Sequence, residues 1–160
     1  MRIIGIDPGT GIMGFGVIDS EGSKAKLVDA GVIKTAVHQP LDERLEEIYN
    51  SLCEIIAETK PEVMVVEKLF FAQNVTTAIS VSHARGVAML AGKLAGLEIV
   101  EYTPLQIKQA LTGYGRADKN QMQQMVKIML GLKEIPKPDD CADALAAALM
   151  YTSVLRLNAS

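Results

Sequence analysis

Two cysteines are all that this chain of 160 residues contains, Cys53 and Cys141, far apart and without a CxxC pair. That excludes a disulfide framework and a zinc cluster, and it predicts a reducing, cytoplasmic setting. Long apolar runs are also lacking. The stretch Gly86 to Val100 is broken by Lys93 and Glu98 and is too short to span a bilayer. The opening residues Met1-Arg2-Ile3-Ile4-Gly5-Ile6-Asp7 are charged too soon for a signal peptide. No GxxxxGK[ST] loop, no Gly-x-Ser-x-Gly elbow and no paired histidine ligands occur, since His38 and His83 stand alone. A P-loop ATPase and a serine hydrolase are therefore excluded. A chain of this length can bury about two-thirds of the surface its unfolded form exposes and is read as one domain, residues 1–160.

Net positive charge is missing too: the formal charge is −3. The distribution is more informative than the total. Residues 1–60 carry six Lys/Arg against ten Asp/Glu, whereas residues 61–137 carry nine against six. An acidic back and a basic working face fit a protein that meets a polyanion, and so does chance.

Apolar periodicity predicts three strands at the start, Arg2–Ile6, Met13–Ser20 and Lys24–Lys34, joined by short turns as an antiparallel meander. A helix over 40–58 follows, with Leu45, Ile48, Leu52 and Ile56 on one face. The run Val63–Val66 reads as a central buried strand ending at Glu67. Asn74 caps a helix running to about Gly96, then come a strand over Leu97–Tyr102 and a short helix after Thr103-Pro104. Asp118 caps a helix to Leu130, and a last helix runs from about Asp139 to Leu155. The order predicts an α/β fold, a mixed sheet of three antiparallel strands followed by parallel ones, flanked by helices.

Acidic residues stand where this pattern makes charge costly. Asp7 ends the first strand, Glu67 ends the central one, and Asp140 and Asp143 open the last helix three residues apart, on one face. Taken singly, each has a simpler role: the helix aspartates as caps, Glu67 as a solvated strand end, Asp7 as a turn residue before Pro8-Gly9. Taken together, four converging carboxylates repel one another unless a divalent cation holds them, and hard oxygen ligands select Mg²⁺ or Mn²⁺. Such a set suits phosphodiester hydrolysis with two ions. Gly9-Thr10-Gly11-Ile12-Met13-Gly14 matches GxGxxG, but the chain continues as a strand where a dinucleotide fold opens a helix. Asp7-Pro8-Gly9-Thr10 looks like the first phosphate loop of the actin and sugar-kinase ATPases, which need two such domains.

Four segments, Gly5-Ile6-Asp7-Pro8-Gly9, Val66-Glu67-Lys68-Leu69-Phe70, Ala84-Arg85-Gly86 and Asp140-Cys141-Ala142-Asp143-Ala144-Leu145-Ala146, together resemble the RuvC family of bacterial Holliday junction resolvases, in the family's order and over nearly the whole chain. The resemblance implies a ribonuclease H-like fold, a homodimer, Mg²⁺-dependent paired nicking of a four-way DNA junction, and work alongside the RuvA–RuvB branch-migration complex. It implies that Asp7, Glu67, Asp140 and Asp143 are the metal-binding catalytic set. It implies that Phe70 stacks near the junction centre and that Lys108 and Lys119 lie near the scissile phosphate. Arg85 and Arg116 are further candidates for phosphate contact. The small residues of the helix after Asn74 fit a dimer seam and fit tight packing on its own sheet equally. The alternative activity is that of another ribonuclease H-like nuclease, acting on RNA or an RNA–DNA hybrid.

Overall fold

The computed structural model describes residues 1–22, 24–69 and 75–158, the last three as backbone alone. Phe70, Phe71 and the Asn74 cap lie outside the described residues.

The three opening strands, β1 (Arg2–Asp7), β2 (Ile12–Glu21) and β3 (Lys24–Lys34), form the antiparallel meander. Helix α1 (Leu41–Thr59) leads to β4 (Val63–Glu67), which pairs parallel with β1. After α2 (Val75–Leu94), β5 (Glu98–Tyr102) pairs parallel with β4. The sheet order is β3-β2-β1-β4-β5. Helices α3 (Pro104–Thr112), α4 (Lys119–Met129) and α5 (Asp139–Asn158) complete the described chain. This is the expected ribonuclease H-like arrangement.

Strand alternation divides the core into two layers. Ile4, Ile6, Met13, Phe15, Val17, Met64 and Val66 face α1 and α2, packing on Ile48, Leu52, Ala84 and Ala88. Ile3, Ile18, Val63 and Val65 face α3, α4 and α5, packing on Ile107, Met122, Val126, Leu145 and Leu149. The two short helices start where their sequences say. Thr103 and Asp118 each accept the backbone N–H three residues on, and the side chains of Gln106 and Gln121 reach back to close capping boxes. Gly113 ends α3 in the left-handed conformation that a β-carbon disfavours. Asp118 thereby sets the first turn of α4, and with it Lys119.

Helix α5 lies directly on the sheet because the strands beneath it carry no side chains there. Gly5 pairs with Gly16 across β1 and β2, and Asp7 with Gly14. A β-carbon at Gly5 would strike the backbone of Ala144 and Ala148, one at Gly16 the Leu145 side chain, and one at Gly14 the backbone of Asp140. The GxGxxG-like spacing thus has a packing meaning at its last position: Gly14 is floor for a helix, not a phosphate loop.

Candidate active site

The alternation that divides the core also aims two acids. In β1, Ile3, Gly5 and Asp7 share the α5 side; in β4, Val63, Val65 and Glu67 do. The β1–β4 register pairs Ile6 with Val66, so Asp7 and Glu67 are adjacent at the carboxyl edge of neighbouring parallel strands. Helix α5 begins over the same edge, with Asp140 above Gly14 and Asp143 one turn further along. All four acids are half-buried. Two strands and one helix therefore bring the four acids to the same edge of the sheet.

The electrostatics record that convergence. Burial, then the charges of Asp143, Glu67 and Asp140, push the Asp7 carboxyl up to about 8, against the pull of Lys119. Burial and then Asp143 raise Glu67, with Lys108 opposing. Asp143 is raised by burial even though the Lys119 ammonium stands 3.8 Å away, so desolvation outweighs that one cation. Among the described residues, no three His, Cys, Asp or Glu side chains stand close enough together to hold a metal ion as they are placed. Cys141, the one sulfur nearby in sequence, is turned into the core, and burial pushes its thiol up. The four acids offer only oxygen donors.

Basic residues join from elements distant in sequence. A cavity of about 260 Å³ is lined by Glu67, Asp143, Lys108 and Lys119 with Pro104, Ile107, Met122 and Ala146. Lys119 bonds Asp139 at 3.0 Å, and Asp139 also accepts from Gln123. A second cavity, of about 280 Å³, is lined by Asp7, Glu67, Lys68, Leu69 and Arg85 among others, and Glu67 and Pro104 border both. Among adjacent residues in sequence, only Lys68 offered a cation to the acids. The fold adds Lys108 from α3 and Lys119 from α4. Arg116 is exposed before α4. Arg85 is turned inward: it pairs with Glu101 of β5 and donates from Nε to the Glu67 carbonyl at 3.2 Å.

One feature of the site was not read from the sequence. Thr10, buried three residues after Asp7, donates to the Ser80 carbonyl at 2.6 Å and accepts from the Ser80 hydroxyl at 2.9 Å. Its own carbonyl accepts from Thr35, whose hydroxyl accepts from Arg44. The loop after Asp7 is thereby tied to α2, to the residue after β3 and to α1. A threonine in a Pro-Gly turn signals a hydrogen bond but not its partner 70 residues away.

The family model described as "Crossover junction endodeoxyribonuclease RuvC" matches residues 3–151. A protein of that description from Alkaliphilus metalliredigens is 55% identical over 151 residues, 94% of this chain and 92% of its own length. The Thermus thermophilus RuvC structure superposes with a TM-score of 0.92 at 39% identity, covering 99% of this chain and 97% of that one. The structure of T. thermophilus RuvC in complex with a Holliday junction substrate gives 0.94 at the same identity, covering 99% and 96%. With its carboxylate cluster at the strand edge and its match over nearly the full length, this chain belongs to the RuvC family of crossover junction endodeoxyribonucleases.

Proposed function

We propose that this chain resolves four-way (Holliday) DNA junctions in homologous recombination and DNA repair, as a cytoplasmic, Mg²⁺-dependent endonuclease that nicks two strands as a homodimer. The observation that carries this reading is the convergence of Asp7, Glu67, Asp140 and Asp143, with Asp7 pushed up to about 8. A set that cannot carry its full charge unaided calls for a cation. The oxygen-only donors fit Mg²⁺, with Mn²⁺ as a substitute, and four acids suffice for two ions. Bound there, the metal would activate the attacking water and stabilise the leaving 3′ oxygen.

The chain's own residues bind and orient. Asp7, Glu67, Asp140 and Asp143 hold the metal. Lys108 and Lys119, on the wall of the first cavity, offer their ammonium groups to the phosphate and offset its charge beside the acids. Glu67 borders both cavities, which leaves open space beside the acids. Arg116 is exposed for a phosphate further along. Phe70, next in sequence to Leu69 of the second cavity, is assigned to stacking on a base near the junction centre. Helix α2 leaves Val75, Ile79, Leu90 and Leu94 exposed at 64, 53, 54 and 68%. That apolar stripe supports a two-fold dimer, whose symmetry matches a near two-fold junction. Residues 1–160 act as one domain, and the RuvA–RuvB branch-migration complex is the expected partner. Among the described residues, no helix is long and apolar enough to cross a membrane.

Cleavage of a mobile four-way junction, a linear duplex and an RNA–DNA hybrid in Mg²⁺, Mn²⁺, Ca²⁺ and chelator tests the reading. The expected result is paired nicking of the junction in Mg²⁺ or Mn²⁺, with binding but no cutting in Ca²⁺ or chelator, because Ca²⁺ tolerates irregular coordination. Robust cutting in chelator overturns the metal mechanism. Preference for the hybrid overturns the substrate.

A further inference from the structure

We propose that Arg85 and Glu101 form a strut that positions the metal-binding Glu67, and that Arg85 acts through Glu67 rather than on the DNA. This rests on the junction-nuclease reading above and deepens it. The β1–β4 pairing runs only to Ile6 and Val66, so Glu67 is the residue at which β4 leaves β1. On its other side, β4 still pairs with β5: Glu67 lies opposite Tyr102, and the Lys68 N–H donates to the Tyr102 carbonyl at 2.8 Å. The Glu67 carbonyl is met from α2, where Arg85 Nε donates to it at 3.2 Å.

The other end of the same guanidinium, Nη2, pairs with the Glu101 carboxylate. Glu101 is opposite Val66 in the β4–β5 register, on the α2 face of the sheet, where Val66 and Ile99 also point. The Arg85 side chain is 20% exposed and Glu101 33%, so the pair is shielded from the screening that weakens surface ion pairs. One planar fork thus joins helix α2, strand β5 and the backbone of the residue whose side chain faces the active site. Arginine suits this and lysine does not, because a single ammonium cannot reproduce a fork that engages a carboxylate and a carbonyl together. Glu101 carries no other partner among the described hydrogen bonds and ion pairs, and it faces away from the carboxylate cluster.

The test compares Arg85→Lys, Glu101→Ala and wild type. Junction affinity is measured in Ca²⁺, single-turnover cleavage is followed as Mg²⁺ is varied, and melting is recorded for each protein. The strut predicts that both variants bind the junction with affinity close to wild type. It predicts that both lose about tenfold or more in cleavage rate or need about tenfold more Mg²⁺, the usual scale for residues that orient a metal ligand. A direct phosphate contact predicts the opposite pattern. Arg85→Lys would then cut almost normally, since the charge is kept, and Glu101→Ala would bind more tightly, since it frees the arginine and removes a negative charge. That pattern overturns the proposal. So does a lowered melting temperature with unchanged cleavage by the folded protein, which marks a merely structural pair. If wild type fails to cut junctions in Mg²⁺, the functional reading itself has failed; if wild type cuts and both variants match it, only the strut has.

Discussion

Gly14 lies directly beneath Asp140, so close that a β-carbon on the glycine would occupy the space of the Asp140 carbonyl. The same glycine is the cross-strand partner of Asp7. One missing side chain therefore sets how near the helix acids come to the strand acids, and it does so through backbone, which cannot swing aside.

Gly14→Ala follows from this. The start of α5 must lift or slide, at a cost of about 1–3 kcal/mol for overpacking. Displacing Asp140 and Asp143 by the order of an ångström should lower cleavage by about a hundredfold. Gly11→Ala is the control, because its new methyl meets only the end of Arg44, at 3.3 Å, a side chain that can yield. Thermal melting and junction cleavage measured on both variants check this; a Gly14→Ala enzyme as active as Gly11→Ala would refute it.

The four acids are separable from their neighbour. Asp7→Asn, Glu67→Gln, Asp140→Asn and Asp143→Asn should each lower cleavage by orders of magnitude while junction affinity is kept or rises, since less negative charge faces the phosphates. Asp139→Asn should cut near the wild-type rate. Asp139 is exposed and bonded to Lys119 and Gln123, an arrangement worth little at a surface. A dead Asp139→Asn beside an active Asp140→Asn would place the site one residue away.

Metal-free protein should lose stability as pH rises. The Asp7 carboxyl titrates near 3.8 when unfolded and near 8 when folded. Below the lower value both states hold the proton. Between the two, the unfolded chain releases it and the folded chain does not, so stability falls with rising pH until about 8. Asp7→Asn removes this loss. In chelator the variant should melt close to wild type near pH 4 and clearly above it at pH 8, and Mg²⁺ should narrow the gap by stabilising wild type. Equal melting temperatures at both pH values would show that Asp7 is not strained by its neighbours.

Self-association should depend on the α2 stripe. Leu90 is 54% exposed, so Leu90→Asp leaves the core of the single chain intact. Burial of a leucine contributes about 1.5–3 kcal/mol, and a two-fold interface contains it twice, so the dimer should weaken by at least about tenfold. Sedimentation over a concentration series checks this. An unchanged dimer would move the interface elsewhere.

Much of the site was legible because it lies in local pattern. Asp7 and Glu67 each close a short apolar strand, and period-two alternation alone puts them on the side of Val65 and Gly5. Asp140 and Asp143 share a helix face by spacing alone. The strand Lys24–Lys34 has its predicted ends, and Thr103 and Asp118 cap the helices they were expected to cap. Other features were out of reach. Gly14 matched the end of a GxGxxG spacing that the strand pattern already ruled out as a nucleotide motif, but its packing role was hidden, because nothing in a sequence says which helix rests on which strand. The contacts of Arg85 with Glu101 and with the Glu67 carbonyl were out of reach as well, because an arginine on an exposed-looking helix gives no sign of a glutamate waiting on β5.

The sequence by itself determined the elements, the faces of their strands and helices, and the chemical type of the site, since those follow from residue preferences over a few neighbouring positions. Only the tertiary structure decided which distant polar groups meet. Lys119 joins Asp143, Arg85 joins Glu101, and Thr10 joins Ser80 across separations that local pattern does not span. The physical reason is that these contacts are set by how layers stack on the sheet, and stacking is decided by the whole core at once.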